Sequence, residues 1–174
     1  RVREIHLHAV ELPAREIGFR PTNRQTPADI PSIQPMEHYM SAEWFIQAHE
    51  HGDDQPIRTD LVNACLNGWS CVFNDGSVDV VFDRADSSTF FYGHTEPHIS
   101  ELMISRPCRH SGLTGILFDI MKLGNFVFYA PDAEFPIVLD KAVIKELPPD
   151  MLAALGTPEI ASTREEFERL ISSL

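Results

Sequence analysis

The densest set of chemically able side chains is His94-Thr95-Glu96-Pro97-His98, followed by Cys108 and His110. Imidazoles and a thiolate converging on one zinc ion at about 2.0–2.3 Å would activate a water, with Glu96 as acid or base. The spacing argues for restraint. Pro97 disfavours a helix that would put His94 and His98 on one face, and extended chain would hold them roughly 13 Å apart. A small zinc-dependent hydrolase using His94, His98, Cys108 and His110 is therefore an alternative reading. Cys108 as a nucleophile, with His94 or His110 as base and Arg106 and Arg109 favouring the thiolate, is a further catalytic candidate. His6 and His8 share a strand face but have no third ligand at a diagnostic spacing. His49 and His51 suit the C-terminal end of a helix.

Other catalytic signatures are missing. Gly68-Trp69-Ser70-Cys71-Val72 fails the nucleophile-elbow pattern at its last position, which leaves Ser70 as a strand residue. No Walker loop or Gly-x-Gly-x-x-Gly run is present to hold phosphates.

The second set is carboxylates: Asp75, Asp79, Asp83 and Asp86, along a hairpin and its exit. Calcium-loop spacing is absent, and charge on a sheet edge discourages pairing with another sheet. These four belong to a markedly acidic body. The chain carries −12 overall; residues 1–35 hold five arginines against four acids, which leaves nine basic against 22 acidic residues over 36–174, or −13. Such a surface repels nucleic-acid phosphates and anionic lipid and steers a basic protein towards it. The leading reading is thus a non-catalytic protein-binding protein acting through this acidic face on a more basic protein partner, with Asp75, Asp79, Asp83 and Asp86 in contact and no cofactor. A bacterial immunity protein, neutralising a toxin by covering its active surface, is one concrete form. A structural or assembly role, with an N-terminal arm reaching a neighbouring copy, is a third.

No apolar run approaches the ~20 residues that a membrane span needs. Cys65, Cys71 and Cys108 match no zinc ribbon or redox pair, so reduced thiols and a cytoplasmic location are expected.

The elements that must position these residues are read from periodicity. Residues 3–12 alternate as a strand, and five prolines between 13 and 35 give an extended arm. Ser41 caps a predicted helix that runs to His51 and stops at Gly52. Thr59 caps another that ends at Gly68. Residues 69–82 read as strand, Asn74-Asp75-Gly76-Ser77 turn, strand, and segments 89–92 and 99–105 extend this hairpin into a meander. Ser111 caps a helix to Gly124; strands follow at 126–129 and 137–139, then a short helix over 149–155. A last helix follows Ser162, with Ser162 and Glu165 at capping-box spacing. Grouped strands flanked by helices predict one α+β domain over 1–174, with a mainly antiparallel sheet around residues 69–105.

Overall fold

The structure, a computed structural model, describes residues 43–131 and 133–173. The predicted strand at 3–12, with His6 and His8, and the proline-rich arm at 13–35 lie outside them. The described chain runs β1 (Glu43–Glu50), β2 (Asp53–Asp54), β3 (Ile57–Arg58), α1 (Thr59–Cys65), β4 (Ser70–Asn74), β5 (Ser77–Val81), β6 (Ser87–Phe91), β7 (His98–Ile99) and β8 (Glu101–Ser105). After these come α2 (Ser111–Met121), β9 (Phe126–Tyr129), β10 (Ile137–Val138), a 3-10 helix at Lys141–Lys145, α3 (Pro149–Leu155), β11 (Glu159–Ile160) and α4 (Arg164–Ile171). The class is α+β.

Nine of the strands form one sheet in the order β11-β10-β9-β1-β8-β6-β5-β4, with β2 paired to β1; β3 and β7 pair separately. Among the described strands only β10 and β11 are parallel. The predicted meander is present: β4, β5, β6 and β8 follow one another antiparallel. Its first turn works as the sequence implies, because Gly76 supplies φ +74° and no side chain need adopt it.

Of the segment expected to be a helix from Ser41 to His51, Ser41 lies outside the described residues and Glu43–Glu50 is instead β1, near the middle of the sheet between β8 and β9. Trp44, Phe45 and Ala48 have helical spacing, but Trp44, Ile46 and Ala48 also alternate onto one strand face. Two long-range partners decide the outcome. Gly52 stops no helix. His51 (φ +56°) and Gly52 (φ +88°) form the two-residue turn joining β1 to β2, where two positive φ values match the strand twist. His51 is held there by Glu146, whose Oε2 accepts from its backbone N–H at 2.8 Å and lies 3.0 Å from its Nδ1.

Three predicted caps also move. Thr59 is the first helical residue of α1, and Arg58 occupies the cap position without a side-chain bond. The cap of α2 is His110, whose Nδ1 accepts from the Gly112 N–H at 2.9 Å, and the helix closes at Met121 rather than Gly124. The capping box of α4 is Thr163 with Glu166, one residue beyond Ser162 and Glu165.

The core lies between one sheet face and three helices. Ile46, Ala48, Phe90, Leu102, Ile104 and Phe128 point towards Val62 of α1, Leu113, Ile116 and Leu117 of α2, and Phe167 and Ile171 of α4. On the opposite face a smaller cluster joins Val127 and Val138 to Val143 of the 3-10 helix and to Leu147. Towards the other end of that face Asp79, Thr89, Phe91, Met103 and Phe45 are cross-strand neighbours.

Tyr92 ties β6 to α1: it is buried, and its hydroxyl donates to Asn63 Oδ1 at 2.6 Å. Burial, more than the nearby Cys71 and Cys65, pushes its phenol well above the ordinary value near 10. The native state therefore prefers the neutral ring. Its stabilisation is complete below the unfolded value of about 10 and is lost as pH rises towards the higher folded value. Urea midpoints measured from pH 8 to 11 should fall more steeply for the wild-type chain than for Tyr92→Phe. Tyr129, also raised by burial, leaves a residual slope in both. Parallel curves would show that Tyr92 ionises equally easily in both states.

Candidate functional site

The four carboxylates selected from sequence lie on the β4–β5–β6 segment, but not as one cluster. Asp75 sits in the β4–β5 turn, Asp79 in the middle of β5, and Asp83 and Asp86 in the β5–β6 turn at the opposite end. At about 3.4 Å per residue, each end of β5 is roughly 7 Å from Asp79, with the turns just beyond.

Two of the four are hydrogen-bonded within the chain. Asp79 Oδ1 accepts from Thr89 Oγ1 at 2.6 Å, and its Oδ2 accepts from the Asn74 amide at 3.1 Å. Arg106 extends this network by donating from Nη2 to Thr89 Oγ1 at 2.9 Å. Asp83 Oδ1 accepts from the backbone N–H groups of Ala85 (2.7 Å) and Asp86 (2.9 Å), which tightens the turn. Those two bonds hold its carboxyl below the usual carboxylate range, since each favours the ionised form. The carboxylates of Asp75 and Asp86 have no hydrogen-bond partner among the described residues, and they are the members left to meet a ligand. Arg84, between Asp83 and Asp86, leaves that turn with one net negative charge.

Thr89 and Arg106 escaped sequence reading. Thr89 faces Asp79 through the β5–β6 register, and Arg106 follows Ser105, which faces Thr89 through the β6–β8 register. Only strand pairing places them together. Arg106 adopts φ +53°, unusual for a residue with a Cβ. Its backbone oxygen accepts from Ser88 Oγ at 3.1 Å, and Ser88 Oγ accepts in turn from the Cys108 N–H at 3.0 Å. The loop after β8 is thereby pinned to β6.

His94, His98, Cys108 and His110 are not brought together. Among the described residues, no group of three or more His, Cys, Asp or Glu side chains is placed to hold a metal ion. His94 lies against Phe73 (5.5 Å between ring centres) and Tyr92 (6.0 Å). His98 is exposed in β7, opposite Arg58 of β3. His110 stacks on Phe82 at 5.2 Å, meets Trp69 edge-on at 5.8 Å, and uses Nδ1 as the α2 cap. That use competes with a role as base to Cys108. Glu96 sits in the turn between β6 and β7, where its N–H donates to the Gly93 oxygen.

The three cysteines are unpaired thiols. Burial pushes the thiols of Cys65 and Cys71 up, as for small core residues rather than nucleophiles. His49, expected at a helix end, is buried in β1, and neither ring nitrogen has a partner among the described residues. A shallow cleft of about 440 Å³ opens beside Tyr129, Gly52 and α3. Among the described residues Asp150 is its only charged lining residue, and none of the candidate site residues among them contributes to it. No described helix is long and apolar enough to cross a membrane.

Comparison with protein-family models, with curated proteins and with solved structures finds no match to this chain.

Proposed function

We propose that the chain is a non-catalytic protein-binding protein that engages a more basic protein partner through the acidic β4–β5–β6 segment. The observation that carries this reading is the division of labour among its carboxylates. Asp79, half-buried, and Asp83, in an exposed turn, stiffen the segment by hydrogen bonds within it, while Asp75 and Asp86, at its two ends, keep carboxylates unengaged by other described residues. A rigid mount that presents charge loses little side-chain entropy on binding. The −13 balance over residues 36–174 supplies the long-range field that would steer a basic partner to it. An immunity protein covering a toxin's active surface is the concrete form that suits a small acidic binder, and three unpaired thiols suit a reducing compartment such as the cytoplasm.

The test is capture of partners from lysate by tagged wild-type chain and by tagged Asp75→Lys/Asp86→Lys, at low and moderate salt. A stoichiometric basic protein that leaves as salt rises and is not retained by the double variant is expected. Equal capture by both chains, insensitive to salt, would overturn the reading.

A further inference from the structure

The outer edge of the same sheet carries a surface of a different kind. Among the described residues β4 is the end strand, and its sequence Ser70-Cys71-Val72-Phe73-Asn74 contains neither charge nor proline, two of the devices by which edge strands avoid pairing. Val72 and Phe73 are 54% and 55% exposed. The two-residue connection Asp75-Gly76 makes Asn74 and Ser77 the hydrogen-bonded pair that closes the hairpin. Alternation from there turns the backbone N–H and C=O groups of Ser70, Val72 and Asn74 towards β5. Those of Cys71 and Phe73 point outwards, giving two donors and two acceptors that no other strand among the described residues pairs with.

We propose that this edge pairs with β4 of a second copy of the chain, antiparallel, with Val72 opposite Val72. In that register Cys71 of each copy faces Phe73 of the other. Both pairs exchange N–H and C=O, for four backbone hydrogen bonds about a two-fold axis. The two Val72 side chains form the close, non-hydrogen-bonded pair at the centre. Moving the register by one residue sets outward-pointing groups against inward-pointing ones. Moving it by two keeps only one of Cys71 and Phe73 facing a residue of this set. The strand thus fits itself best in one register.

Charge selects a copy over a basic strand. Residues 61–74 form the longest run of the chain without Asp, Glu, Lys or Arg, and it ends with β4. A basic segment lying along β4 would find no carboxylate on the strand itself, whereas two acidic copies can approach only along a neutral strip. On the Val72 face the nearest hairpin carboxylate is Asp79, one strand further in. Across the paired copies the two Asp79 positions are three strand spacings apart, roughly 14 Å. That exceeds the screening length of about 8 Å at physiological ionic strength. Asp75 of one copy falls opposite Trp69 of the other, away from its own equivalent.

Sedimentation velocity on the full chain over a range of concentrations tests this directly. A monomer–dimer equilibrium is expected, and added salt should tighten it by screening net repulsion. Val72→Lys, which sets two ammonium groups against each other, and Phe73→Pro, which removes an outward donor while leaving the β5 side of the ladder intact, should each weaken dimerisation by about tenfold or more. Val72→Thr should keep it, and circular dichroism should show all three variants folded. A chain that stays monomeric up to about 1 mM, or a dimer indifferent to both Val72→Lys and Phe73→Pro, would overturn the proposal.

Discussion

Phe167→Ala is expected to destabilise the protein by about 3–5 kcal/mol, the usual cost of removing a fully buried phenylalanine together with the cavity it leaves. Phe167 is fully buried and joins three elements. It projects from α4, meets Phe128 of β9 edge-on at 5.8 Å, and lies 5.9 Å from Phe118 of α2. α4 has only eight residues, too few to be stable alone, so its capping box sets where it starts while Phe167 and Ile171 attach it. Against a typical total stability of about 5–15 kcal/mol, this one substitution would remove a large share. Urea unfolding should show a much lower midpoint with little change in slope, and Phe167→Leu should recover much of the loss. A loss below about 1 kcal/mol would mean that α4 is not packed on the sheet as described.

Gln47→Pro is expected to cost about 3 kcal/mol or more, although Gln47 is only half-buried. The reason lies in the backbone. Ala48 donates its N–H to the Ser100 oxygen, beside β8, and His49 donates to the Asn125 oxygen, beside β9. The same alternation sends the Gln47 N–H to Val127, its partner on β9. Proline deletes that donor and leaves an acceptor buried within the sheet. Gln47→Ala removes only a side-chain bond to Glu101, at 3.3 Å and exposed, and should cost less than about 1 kcal/mol. Comparing the urea midpoints of the two variants isolates the ladder bond. Equal effects would argue that β1 is not paired on its β9 side.

What the sequence made legible was local. The hairpin over 70–81 announces itself through Asp75-Gly76 and flanking β-formers and is found as read; α2 announces itself through the apolar spacing of Leu113, Ile116, Leu117 and Ile120 and is found with its cap at His110 and its end at Met121. β1 looks helical in sequence because Trp44-Phe45-Ile46 is apolar on both sides of a strand, which hides the two-residue period. Its real partners, Leu102 and Phe128, lie far along the chain. The caps of α2 and α4 lie one residue from Ser111 and Ser162 because His110 and Thr163 compete for the same positions, whereas Arg58 before α1 makes no side-chain cap bond. The site divides in the same way. That Asp75 lies in an exposed turn follows from the hairpin alone. That Asp79 is tied to Thr89 and Arg106, and that His110 is occupied as a helix cap, follow only from strand register and helix docking.

Association kinetics bear most directly on the acidic-face proposal. The basic partner captured with the wild-type chain would be presented to the wild-type chain and to Asp75→Lys/Asp86→Lys over a series of salt concentrations. Carboxylates that steer the encounter should make wild-type association fast at low salt and steeply slower as salt rises. The double reversal should lower the low-salt rate constant by about tenfold or more and flatten its salt dependence. Rate constants that coincide for the two chains across the whole salt series would contradict it, and would place the binding surface elsewhere on the protein.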